Sequence, residues 1–294
     1  MSSTKNILIV GATGQVGSQT VASLRDRANL RLFAATRSPE KAAALTNGNV
    51  TGIVLDLDST DSIRKAVEGI DVALLMTGYT ADMIRQSKRF LDLAKTAGVG
   101  HIVHIGASGA ETNEVAHWTW HRLVETYIEQ LGFAYTHLRP ESFMQNIFNF
   151  GWLQGETLHD FIGNAPWSWV DTEDVAHVVT AVLADPGRFD GQVIPLGYDV
   201  QSITDVAATI QQVAGREITV ESHSPEDFRT LTYQGTKESV YADAYMKCVA
   251  DQFTLDANRA LPAGRVYDNF TAITGRQPTD WAAFVAKHRA RITA

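Results

Sequence analysis

Cysteine is nearly absent: one residue, Cys248, in a chain of 294 leaves no intrachain disulfide and no multi-cysteine metal site. It is read as a buried thiol. No near-continuous apolar run of about 18 residues occurs, which excludes a spanning helix. The densest run, Val72 to Met76, has the length of a strand. The start, Met1 to Asn6, is polar, with neither an apolar signal core nor a small-residue cleavage site, so a cytoplasmic location without membrane contact is expected. Basic charge is scarce too. Twenty-five Lys and Arg face 33 Asp and Glu, a net charge of −8 that disfavours phosphate backbones and anionic lipid, so no direct contact with nucleic acid is expected. Internal repeats, long charge blocks and Gly/Ser-rich linkers are missing as well.

What remains is a globular composition, 45% apolar and 20% charged, enough for one large domain or two fused ones. The first half alternates short aliphatic runs with segments of helical period. Asn6 to Val10, Leu30 to Ala35, Val50 to Leu55, Asp71 to Met76, His101 to Ile105 and Ala134 to Leu138 are expected strands, with helices between most of them. Right-handed crossovers make this an α/β, Rossmann-type doubly wound parallel sheet, with its ligand crevice beyond the carboxyl ends of the strands. Residues 1–140 are assigned to this core. After Pro140 the alternation stops. Phe143 to Trp169 reads as a loop-like aromatic substrate cover, Val175 to Leu183 as a helix and Gln192 to Leu196 as a short strand, so 170–200 return to the core sheet. Further on, Thr204 and Asp205 open a helix that Gly215 closes, and 141–294 are assigned to the substrate-covering region and a smaller α-rich C-terminal lobe.

The strongest motif is Gly11-Ala-Thr-Gly14-Gln-Val-Gly17, which follows the first strand and precedes an amphipathic segment, Ser18 to Arg27. Gly11 permits a tight turn, Gly14 lets the backbone approach a pyrophosphate, and Gly17 allows close helix-strand packing at a helix N-terminus that attracts phosphate. Thr13, Gln15 and Val16 complete the expected phosphate loop. The second strand ends in Ala35-Thr36-Arg37-Ser38, where a carboxylate would bind the free 2′-hydroxyl of NAD; no acid stands there. Arg37 instead suits a 2′-phosphate, with Ser38 adding a hydroxyl and Lys41 lying one turn along, which favours NADPH over NADH. The alternative is a solvated surface arginine.

Together, GATGQVG, TRSPEKAAAL, LDLDSTDSIRKAVEGIDVALLMTG, AGVGHIVHIGASGA, GFAYTHLRPESFMQN and WVDTEDVAHVV resemble the NmrA-like, atypical short-chain dehydrogenase/reductase group, which includes triphenylmethane and quinone reductases and redox-sensing regulators. The resemblance runs from about residue 5 to 185 and, more loosely, through Thr274 to Pro278. It implies that Asp56 and Leu57 lie by the adenine, that Thr77 and Gly78 border the nicotinamide-side ribose, and that Arg139-Pro140 to Asn146 lead into the substrate pocket. Asp56 as a helix cap and Arg139 as a partner for carbonyls are the plainer readings.

One departure from the pattern stands out. The superfamily's Tyr-x-x-x-Lys pair is missing from its usual helix, and Gly106 to Arg122 contains neither residue type. An ungapped match places His117 and His121 there instead. The string Tyr233 to Lys237 lies in the C-terminal lobe and is read as chance. His117 and His121, at i and i+4 on one helix face, are candidates to relay a proton and to hold the ribose, and packing histidines are the alternative. A metal pair would need a third ligand, so no metal is expected. Ser108, after the fifth strand, is either a carbonyl-orienting hydroxyl or a local cap. Asp171 and Asp174 are read as caps of the next helix. Trp118, Trp120, Phe143, Met144, Phe148, Phe150, Trp152, Trp167 and Trp169 crowd the cover; Trp118, Phe143, Met144, Asn146 and Trp152 are the expected substrate contacts.

The sequence thus points to an NADPH-dependent reductase of a small apolar or aromatic acceptor such as a quinone, enone or dye-like cation. Delocalised charge in such an acceptor lessens the need for a strong acid. The alternative is an NADP(H)-sensing regulatory protein without turnover. Assembly as a homodimer is left open.

Overall fold

A computed structural model describes residues 4–78, 80–109, 114–231 and 240–293. The string Tyr233 to Lys237 lies outside them. The chain divides into two compact units, one of residues 1–111, 118–139 and 175–195, the other of 112–117, 140–174 and 196–294.

The first unit holds strands β1 (Lys5–Ile9), β2 (Leu30–Thr36), β3 (Val50–Val54), β4 (Val72–Leu75), β5 (His101–Ile105) and β6 (Ala134–Pro140), within two residues of the expected boundaries. These pair in parallel, and the sheet order is Gln192–Leu196, β6, β5, β4, β1, β2, β3. The order reverses between β1 and β4, which is where a doubly wound sheet opens its ligand crevice. Helices α1 (Gln15–Leu24), α2 (Pro39–Leu45), α3 (Thr60–Ala66), α4 (Met83–Ala97) and α5 (Ala116–Gln130) connect the strands. The inner strands are buried because they carry aliphatic side chains to both faces, whereas the edge strand β3 is buried only at Val50. Leu8, Ala73, Leu75 and Ile102 meet Phe90, Leu91 and Ala94 of α4 and Val124 and Ile128 of α5 in one core.

The second unit corrects the loop-like reading of 143–169. Its aromatic stretch folds into short strands that build two three-stranded sheets. One has Trp167–Val170 between Ser142–Phe143 and Asp199–Gln201; the other has Thr157–Asp160 between Leu153–Gln154 and Thr219–Ser222. The missed strands are two to four residues long, too short to show alternation. Trp152 packs on Phe161, Trp167, Trp169, Phe228 and Phe253 with ring centroids 5.6–6.5 Å apart, so these aromatics are core.

Two caps also differ from expectation. Helix Ile203–Ala214 is opened by a capping box between Ser202 and Asp205, with Thr204 inside it, and Gly215 closes it in the left-handed conformation at φ 70°. Helix α1 starts at Gln15, three residues before Ser18, because Gly14 itself is its N-cap. Cys248 is half-buried, and burial pushes its thiol up, which keeps it protonated. No described helix is long and apolar enough to cross a membrane.

Candidate functional site

The glycine turn has the geometry its spacing demands. Gly11 sits at φ 72°, and its carbonyl accepts the Gly14 amide at 2.9 Å. A Cβ on Gly17 would stand 2.3 Å from the Gly11 carbonyl oxygen, so only glycine lets α1 pack this closely on the turn. Gly14 is different. It is exposed at φ −77°, and a Cβ there would meet only that same oxygen at 3.3 Å. As N-cap it supplies no side chain to the first turn of α1, and Thr13, Gly14 and Gln15 face solvent. Val16 is buried.

The ends of β1 to β4 are knitted together by backbone bonds. Ala12 donates to Ala35 at 3.0 Å, Leu55 to Thr36 at 2.9 Å and Val10 to Leu74 at 3.1 Å, which sets the loops carrying residues 13–15, 37–38, 56–57 and 77–78 along one edge of the sheet. Arg37 and Lys41 are exposed. Ser38 is engaged otherwise than expected: its hydroxyl accepts the Lys41 amide at 3.2 Å as N-cap of α2 and donates to Glu40 at 2.6 Å. The Ser38 hydrogen bond holds the Glu40 carboxyl below its ordinary value. Asp56 closes a turn onto the Asp58 amide at 2.9 Å, while Ser59 caps α3. Leu57 is pinned by Arg89, whose guanidinium donates to its carbonyl at 3.2 Å. Thr77 is half-buried and Gly78 exposed.

On α5 the two histidines expected to act together meet different rings. His117, which belongs to the second unit as Tyr245 does, is buried, the two rings 5.2 Å apart. His121 turns to His104 of β5, ring to ring 5.6 Å, and its Nδ1 is enclosed without a hydrogen-bond partner among the described residues. Burial lowers it to about 4, so its imidazole is neutral at physiological pH and cannot replace a cationic lysine; a neutral hydrogen-bonding role remains. Ser108 is half-buried, and Gly109 beside it leaves the space that the Trp118 ring occupies, where a Cβ would stand 2.2 Å from the ring.

A buried polar cluster that sequence reasoning missed lies behind α5. His104 and His137 are register partners on β5 and β6, and both are fully buried. Glu125 on α5 is also fully buried and receives Arg139 Nε at 3.0 Å and Nη2 at 2.7 Å, with Arg122 adding a bond at 3.1 Å. Burial alone would raise Glu125, but the Arg139 bonds and charge, with the Arg122 bond, outweigh it and hold the carboxyl below its usual range. Burial drives His104 well down and takes His137 to about 4. Arg139 therefore serves a carboxylate rather than backbone carbonyls. The signal available beforehand was the stripe His121, Glu125, Glu129 at i, i+4, i+8 on a helix that packs on a sheet.

In the second unit, Phe143 and Asn146 are half-buried, whereas Met144 and Trp152 are 0% and 1% exposed. Asp171 caps helix Thr172–Ala184 through the Glu173 amide at 2.9 Å. Asp174 does not act as a cap; it accepts the Thr279 amide at 2.6 Å and hydroxyl at 3.2 Å. Burial, reinforced by Asp171, raises it to about 6.

Comparison with known proteins adds four likenesses. The model of the NmrA-like family matches residues 3–284. An NAD(P)H azoreductase of Xenophilus azovorans is 29% identical over 293 residues, which are 97% of this chain and 98% of the relative. A triphenylmethane reductase from Citrobacter sp., solved with NADP(H), superposes with a TM-score of 0.80 at 21% identity over 97% of this chain and 99% of that one. The negative transcriptional regulator NmrA, solved with NADP, gives 0.76 at 19% identity over 99% and 97% of the two chains.

Proposed function

The chain belongs to the NmrA-like family, and from that premise we propose that it is an NADPH-dependent oxidoreductase reducing an apolar, conjugated acceptor, such as an azo or triphenylmethane dye, a quinone or an enone. The observation that carries the reading is the turn from Gly11 to Gly17, which opens α1 without a side-chain cap at the point where the sheet order reverses. The azoreductase, similar over nearly its whole length, supports the reaction class.

The residues present fit the dinucleotide, which supplies the hydride when bound. Amides at the head of α1 receive the pyrophosphate, and the exposed Gly14 leaves it room. Arg37 pairs with the 2′-phosphate and Lys41 adds positive charge. Ser38 acts indirectly, by holding the start of α2. Asp56 and Leu57 flank the adenine; Thr77, Gly78 and the neutral His121 serve the nicotinamide-side ribose. Ser108 orients the acceptor. Trp118 contacts it, while in the second unit the buried Met144 and Trp152 act by packing. Charge arriving on a conjugated acceptor spreads over many atoms, so positioning supplies most of the rate and His117 assists with the proton.

The test is anaerobic NADPH oxidation by the purified chain against an azo dye, a triphenylmethane dye and a quinone. Steady turnover with at least one is expected. Tight NADPH binding with no turnover on any of them would replace this reading with that of an NADP(H)-responsive regulator, the class to which the similar NmrA belongs.

A further inference from the structure

We propose that His159, Glu221 and His223 of the second unit form a binding site for one divalent transition-metal ion, with Zn²⁺ as its simplest occupant. Strands Thr157–Asp160 and Thr219–Ser222 run parallel, and their register sets Glu221 beside His159. Side chains two apart on an extended chain share a face, so residue 223 follows Glu221 onto the same side. His223 stays in line because its amide donates to the Asp160 carbonyl at 2.9 Å.

The three donors converge. His159 Nδ1 lies 2.8 Å from His223 Nε2, and Glu221 Oε2 lies 3.9 and 4.0 Å from them. Two donors bound tetrahedrally to zinc at ordinary bond lengths stand about 3.3 Å apart, so sub-ångström shifts bring all three onto one ion. Two imidazoles and a carboxylate are the donor set of borderline cations and not of Mg²⁺ or Ca²⁺. The Phe161 ring stacks on His223 at 5.2 Å and fixes its plane. Both imidazole side chains are 13% exposed and Glu221 is 59% exposed, which leaves an entry path and a side on which water completes the coordination. The proton shared between the two ring nitrogens leaves to solvent as the ion enters. Neighbouring carboxylates are committed elsewhere: Asp160 accepts the Ile162 and Asn164 amides, and Asp227 accepts from Ser224.

The cluster behind α5 looks similar on paper, since donor atoms of His104, Glu125 and His137 also lie within 4.8 Å of one another. There, however, the carboxylate is already gripped by Arg139 and Arg122, and a dication would face two guanidinium groups in a sealed space. Among the described residues, the site at 159, 221 and 223 carries no such competitor: those acting electrostatically on His159 are His223 and Glu221. An ion there would clasp the outer strand Thr219–Ser222 to its neighbour.

The untagged full chain, stripped with a chelator, is titrated calorimetrically with Zn²⁺ and, as control, Mg²⁺. One Zn²⁺ per chain and no Mg²⁺ binding are expected. His159→Ala and His223→Ala each lower the Zn²⁺ affinity by about 100-fold or more, since ligand losses exceed the effect of second-sphere changes, and Glu221→Gln, which keeps a neutral amide oxygen in place, by at least about 10-fold. Circular dichroism verifies folding, and the exposed Glu221→Gln keeps the test open where an imidazole variant unfolds. No saturable Zn²⁺ binding, equal binding of Mg²⁺, or Zn²⁺ affinity unchanged in the folded variants would overturn the site and leave the two rings as an ordinary hydrogen-bonded pair.

Discussion

Arg139 holds Glu125 in a two-pronged ion pair, Nε on Oε1 at 3.0 Å and Nη2 on Oε2 at 2.7 Å, and so ties β6 to α5. The carboxylate is fully buried and the arginine side chain 14% exposed. Removing Glu125 strands the Arg139 guanidinium, and removing Arg139 leaves the buried carboxylate only the Arg122 bond among the described residues. Arg139→Met or Glu125→Leu should each cost about 3–5 kcal/mol in urea unfolding, and the double variant should cost much less than the sum. Additive losses would mean the pair contributes nothing jointly.

Acid should destabilise the first unit before ordinary carboxylates titrate. His121 is lowered to about 4, so below about 6.5 the unfolded chain binds a proton that the folded chain refuses. Its contribution is full above pH 6.5 and is lost as pH falls toward 4, at about 1.4 kcal/mol per pH unit. His104 and His137 shift in the same direction and steepen the fall. Asp174 and Asp256, raised to about 6, act oppositely, and their contribution is lost as pH rises through that value. His121→Gln should flatten stability against pH between 4 and 6.5 by one proton, measured by urea midpoints. An unchanged slope would place a charged imidazole in the folded state.

The two inner glycines of the turn should fail in different ways. Gly17→Ala drives a Cβ against the Gly11 carbonyl and should lower stability by about 3 kcal/mol. Gly14→Val, at a φ that any residue adopts, should melt close to the parent yet lose NADPH binding. Calorimetric titration of that folded variant decides, and retained affinity would reduce the loop to a turn.

Arg37→Ala should weaken NADPH by about 10- to 100-fold through loss of charge-assisted bonds and leave NADH unchanged. Ser38→Ala should cost about 1 kcal/mol of stability by uncapping α2, with less effect on cofactor preference. Equal NADPH and NADH affinity in the unaltered protein contradicts the assignment.

His117→Phe should slow single-turnover reduction by about 10- to 100-fold without changing NADPH affinity. Complete loss would make it an essential acid, and no loss a packing residue on Tyr245.

Which parts of this were legible follows from the range of the interactions. Strands β1 to β6 and the Gly11 to Gly17 turn are written in local runs and spacings, and they appear in the structure within a few residues of where those signals put them. Ser38 misled because a hydroxyl beside a phosphate site and a hydroxyl at an N-cap are the same letter; Pro39 and Glu40 just after it were the capping signal. The meeting of His104 with His137, and of His159 with His223, depends on strand register, which one sequence does not carry. The paired histidines at 117 and 121 share a helical spacing, yet different partners claim each ring.

The tryptophans are unevenly shared. Of six, Trp152, Trp167, Trp169 and Trp281 lie in the second unit, each at most 8% exposed, while Trp118 and Trp120 belong to the first and are half-buried. Indole rings 5.2–6.4 Å apart exchange excitation before they emit. Intrinsic fluorescence of this chain therefore carries a blue-shifted signal dominated by one unit, and its red shift during denaturation times the loosening of that unit without a label.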